Sequence, residues 1–123
     1  MEFVVTGEIK SSTFDRVVDL DRVEFTDKTK KVDVFFEFPR LEGFVSLEDV
    51  KTIKLEITDD TEKKASKDTR MALNTTLYMI RNDESKNNIV QFSSGGILLR
   101  IIASPKKHPF RLRGNRNFKI FTS

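Results

Sequence analysis

The side chain with the greatest capacity for acid–base chemistry in this sequence is its single histidine, His108. Histidine has an ordinary pKa near neutral pH, which suits it to act as a general base or as a metal ligand. His108 stands between Lys107 and Pro109, without an acidic neighbour to orient it and without a second histidine to share a metal. We therefore expect a solvated loop histidine, and the sequence predicts no catalytic residue.

A group of acidic residues has roughly the spacing of a calcium-binding loop: Asp19, Asp21, Glu24 and Asp27. Such a loop requires a glycine at its sixth position, and Glu24 stands there instead. Acidic residues alternating along the solvent-facing side of a strand explain the pattern better. The chain also has no cysteine, no zinc-binding helix motif and no phosphate-binding glycine loop. The sequence thus predicts no metal, no cofactor and no enzyme activity of the chain by itself.

Charge is distributed unevenly along the 123 residues, although the net charge is only +3. Eight basic residues and no acidic residue follow Glu84, whereas the first 84 residues carry 14 basic and 19 acidic groups. Such a distribution indicates either an anionic partner or a solvated, charge-rich surface, and both interpretations stay open. If nucleic acid is the partner, the basic segment near the end supplies the candidate contacts: Lys106, Lys107, Arg111, Arg113 and Arg116.

Eleven phenylalanines, against one tyrosine and no tryptophan, favour a large aromatic core. Phe110 and Phe118 lie between the cations of the basic segment and could instead stack nucleic-acid bases in a groove. Most phenylalanines fall at inward strand positions, so core packing is the favoured role.

Alternating apolar and polar residues, with turn signals every few residues between them, predict an all-β protein. The length fits one domain over residues 1–123, a small oligonucleotide/oligosaccharide-binding (OB)-like barrel of seven to eight mostly antiparallel strands. A change of inward parity near Asp21 and Arg22 predicts a bulge or tight turn. Strands are expected at 3–10, 14–26, 31–38, 53–57, 77–81, 89–102 and 118–122.

Three connecting segments complete the predicted barrel. Residues 11–13 are expected to form a turn, and residues 39–49 an irregular stretch with one helical turn capped by Ser46. Residues 58–70 carry no large apolar side chain, so we expect a long exposed loop that nothing anchors to the core.

The most apolar predicted strand, 89–102, contains Gly95 and Gly96 at its centre. Glycines inside a strand indicate a bend, a bulge or close approach by another backbone. Beyond them Ile97, Leu99 and Ile101 should point into the barrel, which leaves Leu98, Arg100 and Ile102 outside. Because this outer side is also largely apolar, a partner or an internal element should cover it. Arg100 could pair with a partner's carboxylate or carbonyl, or lay its stem on the barrel with its head in water.

This stretch resembles the eighth subunit of archaeal and eukaryotic DNA-directed RNA polymerases. The family carries a Ser-x-Gly-Gly-like element that runs into large aliphatic residues and an arginine. Ser93, Gly95, Gly96, Leu98 and Arg100 occupy those places here, after a hairpin that begins at residue 77. The close match is confined to residues 77–102; the remainder agrees only in strand order, length and the position of a polar loop.

The resemblance implies an eight-stranded OB-like barrel without catalytic activity, docked on the largest polymerase subunit to support assembly and stability of the transcription complex. Nucleotidyl transfer would remain with the large subunits, and nucleic acid would be contacted only weakly or indirectly. The strongly basic end and short central loop favour an archaeal, cytoplasmic member; a eukaryotic one would be nuclear. The partner-binding residues implied are Ser93, Gly95, Gly96, Leu98, Arg100 and Ile102.

The alternative function is a free-standing OB-type protein that binds single-stranded nucleic acid. Neither function involves a membrane, and no apolar run approaches the length of a membrane span.

Overall fold

A computed structural model describes residues 1–39 and 50–123 of the chain, and the predicted helical turn at Ser46 lies outside these residues. The described part is built of eight strands and one short 3-10 helix at Pro105–Lys107. The strands are β1 (Glu2–Asp15), β2 (Leu20–Asp27), β3 (Val32–Pro39), β4 (Thr52–Thr58), β5 (Met71–Asn82), β6 (Asn88–Ser94), β7 (Ile97–Ala103) and β8 (Asn117–Thr122).

The strands form one closed antiparallel barrel in the order β1-β2-β3-β7-β6-β5-β8-β4, with β4 returning to β1. Closure depends on the long first strand, which pairs with β4 through residues 2–8 and with β2 through residues 9–15. A closed barrel pairs strands that would otherwise present exposed edges. The predicted all-β class and small OB-like barrel are confirmed.

The core fills the barrel with inward-pointing side chains from alternate positions of the strands, as Val34, Phe36 and Phe38 illustrate on β3. At one point in the core four aromatic rings meet edge to face, with centroids 5.0–5.6 Å apart: Phe3, Phe92, Phe110 and Phe118. Phe110 comes from the connection between β7 and β8, so this connection is joined to the core.

The first strand crosses β2 closely at Gly7, where a Cβ atom would lie only 2.4 Å from the carbonyl oxygen of Thr26. The register of the β1–β2 pair shifts nearby, between Ile9 and Ser11. Glycine therefore lets the backbones approach where β1 changes partner from β4 to β2.

The predicted turn at 11–13 is wrong, because β1 continues through these residues and the chain turns at 16–19. The parity change near Asp21 and Arg22 is explained by that turn. The predicted solvent-facing acidic side is wrong for Asp21 and Asp27, which are buried. Burial opposes ionisation of Asp27, but N–H donors from Lys30 and Thr6, each at 3.0 Å, hold its pKa below the ordinary value.

The loop after β4 is largely exposed, as predicted, but it is anchored through polar contacts. Lys63 forms ion pairs with Glu2 and Glu56, and these hydrogen bonds raise the pKa of the ammonium group. Lys119 donates a hydrogen bond of 3.0 Å to the carbonyl oxygen of Lys63. The loop is therefore held to the surface of the barrel by polar contacts, which the expectation of no anchor to the core did not consider. Strand β5 begins at Met71, earlier than predicted.

In the described parts of the chain, no helix is long and apolar enough to cross a membrane.

Candidate docking surface on the barrel wall

Gly95 and Gly96 form the turn between β6 and β7, with φ angles of +55° and +94°. Two successive positive φ angles are those of a type I′ hairpin turn, whose twist matches the strands it joins. The prediction that the glycines bend one continuous strand is wrong, because Ser94 already pairs with Ile97 across the turn. A Cβ at either glycine would meet nothing within 4 Å, so backbone conformation is what requires glycine here.

The predicted parity of β7 is confirmed beyond its first residue. Leu99 and Ile101 are buried in the core, whereas Leu98, Arg100 and Ile102 are half-buried on the outer wall. The strand therefore contributes both to the core and to the outside of the barrel.

Register across four neighbouring strands aligns side chains with Arg100 on the outer wall. Arg100 pairs with Phe35 of β3 on one side and with Gln91 of β6 on the other. Gln91 in turn pairs with Met79 of β5, where a register shift next to Tyr78 brings both residues into the group. We call these residues the outer row: Phe35, Arg100, Gln91, Tyr78 and Met79.

Hydrogen bonds hold the outer row in one arrangement. Arg100 Nε donates to Gln91 Oε1 at 3.1 Å, and Gln91 Nε2 donates to the Tyr78 hydroxyl at 2.9 Å. The Met79 sulfur lies 3.5 Å from the same Gln91 nitrogen. The guanidinium also lies over the Phe35 ring, 5.6 Å from its centroid, which is a cation–π contact. These contacts bury Gln91 to 6% exposure although it is outside the barrel.

The guanidinium group of Arg100 can still donate hydrogen bonds to a partner. Its Nε atom is used by Gln91, while its two Nη atoms have no hydrogen-bond partner among residues 1–39 and 50–123. A planar fork of donors suits a carboxylate or a pair of carbonyl oxygens. Tyr78 and Met79 are 41% and 37% exposed at the other end of the row, so apolar contact area is available beside the charge.

A second polar group borders the outer row. The ladder between β3 and β7 ends at the Phe36–Leu99 pair, and beyond it the Glu37 carboxylate accepts the Leu98 N–H at 2.9 Å. Glu37 also lies 3.3 Å from Arg22 Nε, and Arg22 donates to Asp15 at 2.8 Å. That hydrogen bond lowers the pKa of Asp15 and raises that of Arg22. The start of β7 is thereby held to its neighbours.

The six predicted partner-binding residues all lie on the β6–β7 hairpin. Ser93 pairs with Leu98, so both belong to the outer wall with Arg100 and Ile102, whereas the two glycines form the turn. The sequence interpretation missed the rest of the outer row. A signal was present, because a two-residue turn at 95–96 places Gln91 directly opposite Arg100.

His108 is buried at 5% exposure, which makes the predicted solvated histidine wrong. Its Nδ1 accepts the N–H of Phe110 at 3.1 Å and its Nε2 lies 2.8 Å from Asn88 Oδ1. This pattern requires the neutral ring with its proton on Nε2. Burial and the nearby Arg111 lower the pKa of His108. The ring has a structural position, and no acidic side chain among residues 1–39 and 50–123 bonds to it to support general-base chemistry.

The candidate nucleic-acid contacts lie on the connection between β7 and β8, and all are exposed: Lys106, Lys107, Arg111, Arg113 and Arg116. Phe110 and Phe118 are 1% and 4% exposed in the core, so the favoured core role is confirmed and neither can stack a base. Within residues 1–39 and 50–123, no group of three or more metal-ligating side chains is close enough to hold a metal ion.

Comparison with known proteins does not add a family to these observations. No protein-family model matches the chain, and no curated protein matches it either.

Proposed function

We propose that this chain is a non-catalytic subunit of DNA-directed RNA polymerase, which docks on the largest subunit and supports assembly and stability of the complex. The observation that carries the proposal is the outer row. In it Arg100 is held by Gln91 and Phe35, while neither of its Nη atoms is bonded by the described part of the chain.

The composition of the outer row is typical of a protein-binding centre. Arginine, tyrosine and methionine are enriched at interfaces, and arginine and tyrosine supply many of the residues on which binding depends. Holding the guanidinium in advance reduces the entropy that a partner's binding would cost. A complementary partner would present a carboxylate or carbonyl oxygens to Arg100, and apolar side chains to Tyr78, Met79 and Ile102.

The resemblance to the polymerase's eighth subunit supports this choice of partner. The β6–β7 hairpin is the segment that carries the family-like element, and it is also the segment that supplies Leu98 and Arg100 to the outer wall. An eight-stranded closed barrel is the fold that the resemblance implies.

The test is capture of the polymerase from native extract with the tagged chain, with the largest subunit quantified by mass spectrometry. Arg100→Ala and Leu98→Asp should each lower the yield by about tenfold, a loss typical of residues central to an interface. Arg70→Ala is the matched control, because Arg70 is an exposed arginine beside the Met71–Thr122 pair of β5 and β8, outside the outer row, and the described residues offer it no ion pair.

Thermal unfolding of each purified variant separates docking from folding. The proposal requires both outer-wall variants to keep their folded structure while they lose the polymerase. A folded wild-type chain that recovers no polymerase subunit would disprove it, as would equal loss of yield in the Arg70→Ala control.

A further inference from the structure

The connection between β7 and β8 concentrates positive charge without compensation. Residues 104–116 contain five basic and no acidic side chains. None of the five forms an ion pair within the described parts of the chain; Arg111 donates only to the carbonyl oxygen of Phe110, at 2.6 Å. Charges of one sign on an exposed segment repel one another, so this arrangement costs stability unless a counter-charge is bound.

The backbone of this connection is nevertheless held in place. Its 3-10 turn is closed by the Lys107 N–H bond to the Ser104 carbonyl at 2.9 Å, and His108 bonds to Asn88 on β6. Phe110 inserts into the core, and the carbonyl oxygen of Arg116 accepts the Leu77 N–H at 2.8 Å. The segment therefore lies along the half of β5 that β8 does not pair with.

Exposed apolar area on the connection is small. His108 and Phe110 point into the protein, and Leu112, at 39% exposure, is the large apolar side chain that remains outside on the described connection. A protein partner ordinarily needs a desolvated centre of aromatic and aliphatic side chains, with charge at the rim. Lysines and arginines around one leucine fit a polyanion better than a protein surface.

We propose that the 104–116 connection binds the phosphate backbone of nucleic acid, without reading its bases. Phosphate contacts from lysine and arginine give affinity and orientation but carry no sequence information. Base stacking is excluded as the source of binding at this site, because Phe110 and Phe118 lie in the core. The inference does not depend on the proposed polymerase partner.

The contact is confined to the connection. The adjacent turn 83–87 contributes Lys86, but it also carries Asp83 and Glu84 and so has net negative charge. Asp83 Oδ1 accepts the N–H groups of Ser85 and Asn87, each at 2.9 Å, which fixes that carboxylate within the turn. A polyanion should therefore meet the connection and avoid the tip of this turn.

The experiment is fluorescence anisotropy with the full chain and two labelled probes of mixed sequence, one duplex and one single strand, at several salt concentrations. We count four phosphate contacts, one each for Lys106, Lys107, Arg113 and Arg116. By counterion release, four contacts give a slope of log K against log salt near −3.6 for the duplex and −2.8 for the single strand. Duplex affinity should thus fall by roughly 100-fold between 50 and 200 mM salt.

A fourfold variant removes charge from the connection while leaving the Arg111 hydrogen bond intact: Lys106→Gln, Lys107→Gln, Arg113→Gln and Arg116→Gln. Its control removes the same charge elsewhere on the exposed surface: Arg16→Gln, Lys64→Gln, Lys67→Gln and Arg70→Gln. The first variant should lose at least about 30-fold in affinity and most of the salt slope, whereas the control should stay within about threefold of wild type.

Three results would overturn the proposal. They are absence of wild-type binding to both probes at 50 mM salt, equal loss in the two fourfold variants, and tighter binding of polyglutamate of matching charge. The last would identify an acidic protein segment as the partner. Thermal unfolding curves for both variants ensure that only folded protein is compared.

Discussion

The outer row and the 104–116 connection both present arginine, but in the outer row the side chain is fixed, whereas on the connection only the backbone is. In the outer row the Arg100 side chain itself is fixed, by Gln91 and by the ring of Phe35. On the connection the backbone is fixed while the side chains of Lys106, Lys107, Arg113 and Arg116 remain exposed. A fixed guanidinium selects one planar group in one orientation, whereas loosely held cations on a fixed backbone suit a repeating polyanion.

The largest expected effect tests whether the core holds the connection. Phe110→Ala removes a ring that is 1% exposed and should lower the free energy of unfolding by about 3–5 kcal/mol, since it leaves a cavity among three aromatic rings. Leu112→Ala, two residues away, should cost less than about 1 kcal/mol because Leu112 is already substantially exposed. Urea unfolding measures both. Similar costs for the two variants would mean that the core does not order the connection.

A smaller effect tests how the outer row is aligned. Gly96 has a φ of +94°, so Gly96→Ala should destabilise the protein by about 1–2 kcal/mol. Gly95 has a φ of +55°, a conformation that asparagine adopts readily, so Gly95→Asn should cost only a few tenths of a kcal/mol. Urea unfolding again gives both values. If both variants were neutral, the turn would not determine which residue lies opposite Arg100.

The smallest expected effect is a loss of stability at low pH that involves the 104–116 connection and not the outer row. Burial lowers the pKa of His108 below its unfolded value near 6.5, so the unfolded chain binds this proton first as the pH falls. The stability that neutral His108 contributes is therefore complete above about pH 6.5 and is lost as the pH falls through the lower folded pKa. A proton on Nδ1 would also confront the Phe110 N–H, and so loosen the connection while leaving the outer row unaffected.

The measurement is the urea midpoint between pH 7.5 and 5.5, with His108→Gln as the comparison. The wild-type midpoint should fall with pH more than the variant's does. Identical pH dependence in the two proteins would show that the pKa of His108 does not differ between the folded and unfolded states.

Local patterns predicted most of the barrel because strand parity is a local property. The inward positions of β3, β4 and β7 follow directly from apolar residues at every second place. The Gly95–Gly96 turn was misassigned because a glycine pair suits both a bulge and a hairpin turn, and the flanking residues are apolar in either case.

The site was predicted less completely than the fold. Arg100 was placed on the outer wall by parity alone, but its partners come from two other strands, the rest of the outer row comes from a third, and all depend on register. His108 was misplaced for a similar reason. Its charged neighbours indicated solvent, while its burial follows from Phe110 packing against rings that are distant in sequence.

The pairing of β8 has a consequence for the order in which the molecule forms. Residues 117–122 lie between β4 and β5 and supply a pairing partner to both, so the barrel cannot close before Thr122 has been synthesised. Until then β4 and β5 each present an unpaired edge, and distant pairings of this kind form slowly. A nascent chain would therefore remain vulnerable to strand exchange with its neighbours throughout its synthesis, a hazard that the finished barrel no longer carries.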